Sequence, residues 1–286
     1  MTNEQKFKIE KRTSNVARYT IISVLAFVMI IPLIWLVFAS VKPSNEVFDT
    51  TKLLPSKLKL ENYINGWNSV KPYSYFRFYL NTFLLILPVI VGNVCSSCLV
   101  GYGFARGKIK GKNMLFLILI GTMMLPGTTT MIPSYILFNK LGWTNTYLPF
   151  IVSAFLGGSA FFTFMMVQFM RGIPKEMDDS AMIDGCNSFS IFTRIILPMC
   201  KPTIITIVIF TFLWTWDDFM GQLIYLSEVK KYTVALALKI MVDPLSVVNW
   251  GAILAMSLVS IIPSVIIYFV AQDYFVEGMS TSGLKT

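Results

Sequence analysis

Six long stretches with almost no charged side chains limit the folds that this chain of 286 residues can adopt. A helix needs roughly 20 apolar residues to cross the hydrocarbon core of a bilayer. Hydrophobic residues make up 55% of the chain and charged residues only 14%, whereas soluble domains carry about 25% charged residues. The pattern predicts a membrane protein with six spans, at residues 20–41, 80–105, 114–139, 141–170, 202–227 and 244–272.

The length of these stretches also indicates their secondary structure. Only helices and closed barrels satisfy their backbone hydrogen bonds inside a bilayer, and barrel strands would show short segments of alternating hydrophobicity. We therefore predict an all-α polytopic membrane protein with six transmembrane helices. The first stretch is interpreted as a span rather than a cleaved signal peptide, because it is long and no small-residue cleavage site precedes "KPSNEVF".

Basic residues indicate the orientation of the spans, since cytoplasmic loops carry an excess of lysine and arginine. The segment "RGKIKGK" at 106–112 places four such residues beside two span ends, and the tail 1–19 is also basic. We expect both termini in the cytoplasm and residues 42–78 outside it. The net charge of +9 is then mainly a topology signal that also favours contact with anionic lipid. Nucleic-acid binding is not expected, because no basic stripe with interleaved aromatics lies outside the spans.

Several kinds of chemistry are excluded by the residues that are missing. The sequence contains no histidine, which removes imidazole metal sites and histidine acid–base catalysis. The run "GYGFARGKIKGKN" lacks the spacing of a phosphate-binding loop and follows a span instead of a strand. Cys95 and Cys98 form a C-x-x-C pattern, but a thiolate forms reluctantly inside a span, so close helix packing is favoured over redox chemistry. We expect no catalytic site, metal or cofactor bound by this chain itself.

Two adjacent carboxylates, Asp217 and Asp218, interrupt the fifth predicted span, and a carboxylate at such depth indicates function. Neighbouring residues on a continuous helix point about 100° apart, so we do not expect both to converge on one site as a catalytic dyad would. The run "LWTWDDFMGQ" also contains Trp214, Trp216 and Gln222. Aromatic faces with hydrogen-bonding groups suit sugar binding in a wet cavity, while an interfacial aromatic belt with one carboxylate reaching water is the alternative.

The stretch "KEMDDSAMIDG" at 175–185 lies between the fourth and fifth spans, on the predicted cytoplasmic side. Pro174 suits the first position of a helix, the acidic residues suit its positive end, and Gly185 suits its end. Asn187, Ser188 or Ser190 can cap a second helical turn, and two prolines break the chain before the fifth span. A short helix with polar and apolar groups to present favours docking in a partner's groove, while a solvated loop is the alternative.

The segment "DSAMIDGCNSFSIFTRIILP" at 179–198 resembles the EAA loop of the membrane subunits of ATP-binding-cassette importers. That pattern is E-A-A, three residues, glycine, nine residues, and then I-x-L-P. The spacing matches throughout, with aspartate in place of glutamate and serine in place of the first alanine. The matching residues are Asp179, Ser180, Ala181, Gly185, Ile195, Leu197 and Pro198.

Residues 20–286 also resemble the smaller permease subunit of carbohydrate importers of the maltose-permease type. The resemblance is carried by "FARGKIKGKN", "MMLPGTTTMIPSYILFNKLGWTNTY", "TFLWTWDDF" and "DYFVEGMSTSGLKT". That subfamily usually has Trp-Asn-Asp where this chain has Trp216, Asp217 and Asp218. The predicted spans and this resemblance together predict a cytoplasmic tail at 1–19, a first helix at 20–41, an extracytoplasmic segment at 42–78, a permease core at 79–274 with its EAA loop at 174–202, and a cytoplasmic tail at 275–286.

The resemblance further implies a coupling helix that sits in a cleft of an ATPase subunit. The implied coupling residues are Glu176, Asp178, Asp179, Ser180, Ala181, Asp184, Gly185 and Pro198, and the implied substrate path includes Trp214, Trp216, Asp217, Asp218 and Gln222.

The partners implied by the resemblance are a second homologous permease, two ATPase subunits that bind ATP and magnesium, and an extracytoplasmic sugar-binding protein. The assembly would lie in a bacterial cytoplasmic membrane and import sugars, with oligosaccharides favoured, by alternating access. Glycerol phosphate is an alternative solute, and a gradient-driven carrier with internal repeats is an alternative class.

Overall fold

The computed structural model describes residues 3–49, 52, 54–242 and 248–283, and these residues form helices without any strand. A π-helical segment at Phe192–Ile196 and a 3-10 turn at Val229–Lys231 accompany the α-helices. The α-helices are α1 Asn3–Ser40, α2 Glu61–Trp67, α3 Tyr75–Arg106, α4 Lys112–Met123, α5 Gly127–Lys140, α6 Leu148–Phe155, α7 Ala160–Gly172, α8 Glu176–Ile183, α9 Ser188–Ile191, α10 Leu197–Met199, α11 Lys201–Asp217, α12 Phe219–Tyr225, α13 Val234–Met241 and α14 Trp250–Gly283.

Four segments of the described chain are helical, long and apolar enough to cross a membrane: Ser14–Ser40, Tyr75–Arg106, Leu148–Gly172 and Trp250–Gln272. Two further helix pairs reach that length only across a bend. The bend is 102° between α4 and α5, and 72° between Ser188–Met199 and α11. The all-helical membrane fold is therefore confirmed with four to six candidate spans, while the number six stays a prediction.

The observed helix ends differ from the predicted spans where turns interrupt the apolar pattern. The third predicted span bends because α4 ends before Pro126, which precedes α5 in extended conformation. The fourth begins at Leu148, since Gly142 and Asn145 turn the chain with φ of 70° and 57°. The predicted start of the sixth, Pro244, lies outside the described residues.

The chain divides into two compact units. The first unit runs to Ser69 and includes Met241–Ser260. Within it, the Nδ2 of the fully buried Asn62 donates to the carbonyl oxygens of Ser40 at 2.9 Å and Lys42 at 2.8 Å. This amide fixes the turn after α1 against α2.

The second unit comprises Val70–Ile240 and the chain from Ile261. Its core forms where α3 packs against α6, α7 and α11. Close approach of α3 and α7 depends on Gly101, because a Cβ there would lie 2.7 Å from Cγ of Met166. Cys98 is buried in the same core while Cys95 is exposed, and both are free thiols.

Candidate functional site

A short break in helical structure follows the long helix α11. Asp218 adopts φ −70° and ψ 85°, which ends α11, and its Oδ1 accepts a hydrogen bond at 2.9 Å from the backbone N–H of Gly221. Aspartate at this position caps the following helix α12 by satisfying one of its free N–H groups. A Cβ on Gly221 would meet the Asp218 carboxylate, so a larger residue there would require that side chain to shift.

The break lets Asp217 and Asp218 line the same cavity, which has a volume of about 530 Å³. The prediction from the sequence assumed one continuous helix through both residues, and the break at Asp218 corrects that assumption. That the two carboxylates do not form a catalytic dyad stays a prediction. The cavity lies among α3, α6, α7 and α11. Its lining residues are Val89, Asn93, Phe150, Ser153, Ala154, Gly158, Ser159, Phe162, Thr211, Trp214, Thr215, Asp217 and Asp218.

Trp214 provides an aromatic wall of this cavity. Its ring stacks on Phe162 with centroids 5.2 Å apart and planes 15° apart, and the side chain remains 49% exposed. Asp217 is also exposed, and no hydrogen bond or ion pair joins it to another residue that the structure describes. An aromatic face beside a free carboxylate suits a polar ligand with apolar faces, such as a sugar ring.

Five polar residues of the cavity were not predicted from the sequence: Asn93, Ser153, Ser159, Thr211 and Thr215. Asn93 donates from Nδ2 to Oγ1 of Thr211 at 3.3 Å, and both side chains are buried. Ser153 and Ser159 reach the cavity from the fourth predicted span. These lining residues have a weak signal in the sequence, because each is a polar side chain in an apolar stretch and because they lie on several different helices.

Trp216 and Gln222 do not line the cavity. Trp216 is 5% exposed and stacks on Phe212 with centroids 5.3 Å apart. Gln222 is fully buried, where its Nε2 donates to the carbonyl oxygen of Thr215 at 2.7 Å and its Oε1 accepts from Thr233. The structure therefore gives these two residues a packing role beside the site.

The predicted coupling loop forms the helix α8, which begins at Glu176, two residues after Pro174. Gly185 ends the helix in the left-handed region with φ 82°, and the Oδ1 of Asn187 caps α9 by accepting from the N–H of Ser190 at 2.8 Å. The start expected at Pro174 was too early, while glycine at the turn and the asparagine cap are confirmed.

The surface of this loop is strongly apolar at one end. Ile183 is 87% exposed, Phe189 70% and Met182 54%. Six of the eight predicted coupling residues are also exposed, namely Glu176, Asp179, Ser180, Asp184, Gly185 and Pro198. Asp178 and Ala181 instead face inward and are buried.

Comparisons with known proteins define the family of this chain. A family model described as "Binding-protein-dependent transport system inner membrane component" matches residues 11–281. The chain belongs to this family. The maltose-type resemblance and the expected multi-pass transport subunit are thereby confirmed at the family level.

The similar proteins cover almost the whole chain. The arabinooligosaccharides transport system permease protein AraQ of Halalkalibacterium halodurans is 32% identical over 91% of this chain and 93% of its own length. The trehalose/maltose transport system permease protein MalG of Thermococcus litoralis is 26% identical over 91% and 93%. The structure of a bacterial ABC transporter that imports the acidic polysaccharide alginate matches with TM-score 0.82 at 20% identity, covering 93% of this chain and 98% of that one. This last likeness shows a shared fold.

Proposed function

We propose that this chain is the permease subunit of an ATP-driven, binding-protein-dependent importer of oligosaccharides. The observation that carries the proposal is that α7 and α11 join the cavity to the exposed loop. Both helices have cavity-lining residues near one end, Phe162 and Trp214, and the loop containing α8 connects their other ends. From Lys201 to Trp214, α11 spans about 20 Å at 1.5 Å per residue.

The mechanism follows from that arrangement. The exposed apolar end of α8 docks in a cleft of one of two ATPase subunits, which bind the ATP and magnesium. ATP binding shifts the assembly between inward- and outward-facing states, because a ligand moves an equilibrium only by its differential affinity for the two states. A second, homologous permease completes the path, and an extracytoplasmic binding protein delivers the sugar. The chain supplies no catalytic group of its own in this scheme.

The chemistry of the cavity supports a neutral oligosaccharide as the solute. Trp214 offers an aromatic face, and Asn93, Ser153 and Ser159 offer hydrogen-bonding groups. The charged residues among the described lining are both carboxylates, which disfavours glycerol phosphate because a phosphate ester requires a cation. The names of AraQ and MalG, both sugar transporters, agree with this solute class.

The test is assembly with candidate ATPase and permease partners after co-expression and detergent purification. Ile183→Glu removes the most exposed apolar residue of α8, and Ile109→Glu is the matched control, an exposed isoleucine in the predicted cytoplasmic segment 106–112. We expect Ile183→Glu to lower ATPase co-purification by about tenfold, as for loss of 1.4 kcal/mol at an interface, while the control retains it. A wild-type chain that purifies alone beside folded partners and transports solute in ATP-free liposomes would contradict the proposal.

A further inference from the structure

A buried ion pair joins the end of α3 to the helix α8. The Nε of Arg106, the last residue of α3, lies 2.5 Å from Oδ2 of Asp178. The two side chains are 8% and 11% exposed. The Nη2 of Arg106 also donates to the carbonyl oxygen of Ile173 at 2.8 Å, just before α8 begins. One arginine therefore holds both α8 and the chain that enters it.

The Asp178 carboxylate depends on this arginine. Its Oδ1 is buried and has no hydrogen-bond partner among the residues that the structure describes. A buried charge without a partner is strongly unfavourable, so Arg106 is what makes the buried position of Asp178 tenable. Asp178 is thus turned away from the exposed acidic residues that surround it in sequence.

A second contact connects α3 to the other half of the loop. Tyr102 lies one turn before Arg106, and its hydroxyl donates to the carbonyl oxygen of Ser188 at 3.2 Å. The Tyr102 ring also lies 4.9 Å from the ring of Phe192, between centroids. The end of α3 therefore contacts both α8 and α9, although the chain connects this loop directly only to α7 and α11.

We propose that Arg106 and Asp178 are positioning residues through which a movement of α8 reaches α3. The helix α3 is continuous from this pair to Val89 and Asn93 in the cavity wall, a distance of about 20 Å from Arg106 to Asn93 at 1.5 Å per residue. A displacement of α8 by the ATPase then moves three walls of the cavity together, α3 as well as α7 and α11. This inference rests on the proposed function.

A purely structural role for the ion pair has a different signature. Loss of one partner would leave a buried charge and reduce the amount of folded protein. A linking role additionally predicts loss of communication in the protein that does fold. Proximity alone does not establish that the two residues are energetically coupled. Exchanging the two residues for each other tests whether they act as a pair.

The experiment measures the accessibility of the cavity wall at Val89, and it does not require the solute to be known. Val89→Cys is introduced into a chain whose four native cysteines are replaced by serine or alanine. The chain is assembled with its permease and ATPase partners, and modification by a membrane-impermeant maleimide is timed with and without ATP. The variants are Asp178→Asn, Arg106→Gln, the exchange Arg106→Asp with Asp178→Arg, and the matched control Lys110→Gln, an exposed cation nearby.

We expect ATP to change the modification rate of the unaltered complex. Each single variant should reduce this response at least about fivefold, the lower end of common coupling effects, when the rates are compared among complexes that retain bound ATPase. The exchange should restore the response, and Lys110→Gln should leave it intact. A full response in the single variants, an exchange that folds without restoring it, or no ATP response although ATPase is bound would each overturn the inference. Failure of the ATPase to bind the unaltered chain would instead reject the proposed function, and this inference with it.

Discussion

Asp217 places a carboxylate in the cavity with no partner among the described residues, so its charge is available to act on a solute. A like charge within about 6 Å is repelled by roughly 1–3 kcal/mol at the effective dielectric of such sites. Asp217→Asn should therefore raise uptake of a uronic-acid oligosaccharide, relative to a neutral one, by about tenfold. The measurement is the ratio of the two uptake rates, divided by the ratio of the binding protein's affinities for the two sugars.

The control for this prediction is Glu228→Gln, which removes a carboxylate outside the cavity lining. That carboxylate accepts a hydrogen bond from Nδ2 of Asn145 at 2.7 Å and pairs with Lys231. The control should leave the ratio unchanged. An Asp217→Asn chain that transports both sugars in the original ratio would show that Asp217 does not line the solute path.

At the scale of elements, the end of α8 depends on a backbone conformation that favours glycine. Gly185 has φ 82°, and the space around it is open, since a Cβ added there would meet no atom within 4 Å. Alanine there would be opposed by backbone strain alone, about 1–2 kcal/mol. We expect Gly185→Ala to lower the thermal midpoint in detergent and to weaken ATPase binding, since the turn sets the direction in which the chain leaves α8.

Gly172→Ala is the matched control for this turn, because its surroundings are equally open and its φ is not positive. It should change the thermal midpoint little. Equal effects of the two substitutions would refute the argument from strain and leave only a general intolerance of side chains near the loop.

The sequence predicted the elements whose signals are local. The helical spans, the glycine at the end of α8 and the asparagine cap of α9 each follow from residues close together in the chain. Prediction failed at the break after Asp217, because the cap that causes it is a competing local hydrogen bond inside an apolar run. It also gave no indication that Asp178 faces inward, since Arg106 is far away in sequence and their pairing depends on the folded core.

At the scale of the whole chain, hydrogen bonds within the second unit bear on whether α4 and α5 together cross the membrane. At the start of α3, Asn81 donates from Nδ2 to the carbonyl oxygen of Lys230 at 2.9 Å. Asn145, after α5, bonds to Glu228 through both the nitrogen and the oxygen of its side-chain amide. The start of α3 and residue 145 therefore lie at the same end of this unit. From Asn81 to Arg106, α3 spans about 38 Å at 1.5 Å per residue.

The chain from 107 to 144 must return over that length. This requirement favours a bent pair of helices, α4 and α5, that crosses the membrane once, rather than a re-entrant loop. We therefore predict that Lys71, just before α3, and Ile183, both exposed residues of the second unit, lie on opposite sides of the membrane, with Ile183 in the cytoplasm. Single-cysteine versions, Lys71→Cys and Ile183→Cys, are made in a chain without its native cysteines and treated with an impermeant maleimide on intact cells whose outer layers have been removed. Lys71→Cys should react at once, and Ile183→Cys only after permeabilisation. If both react from outside, α4 and α5 enter and leave by one face, the number of spans is five, and the loop with α8 cannot reach a cytoplasmic ATPase.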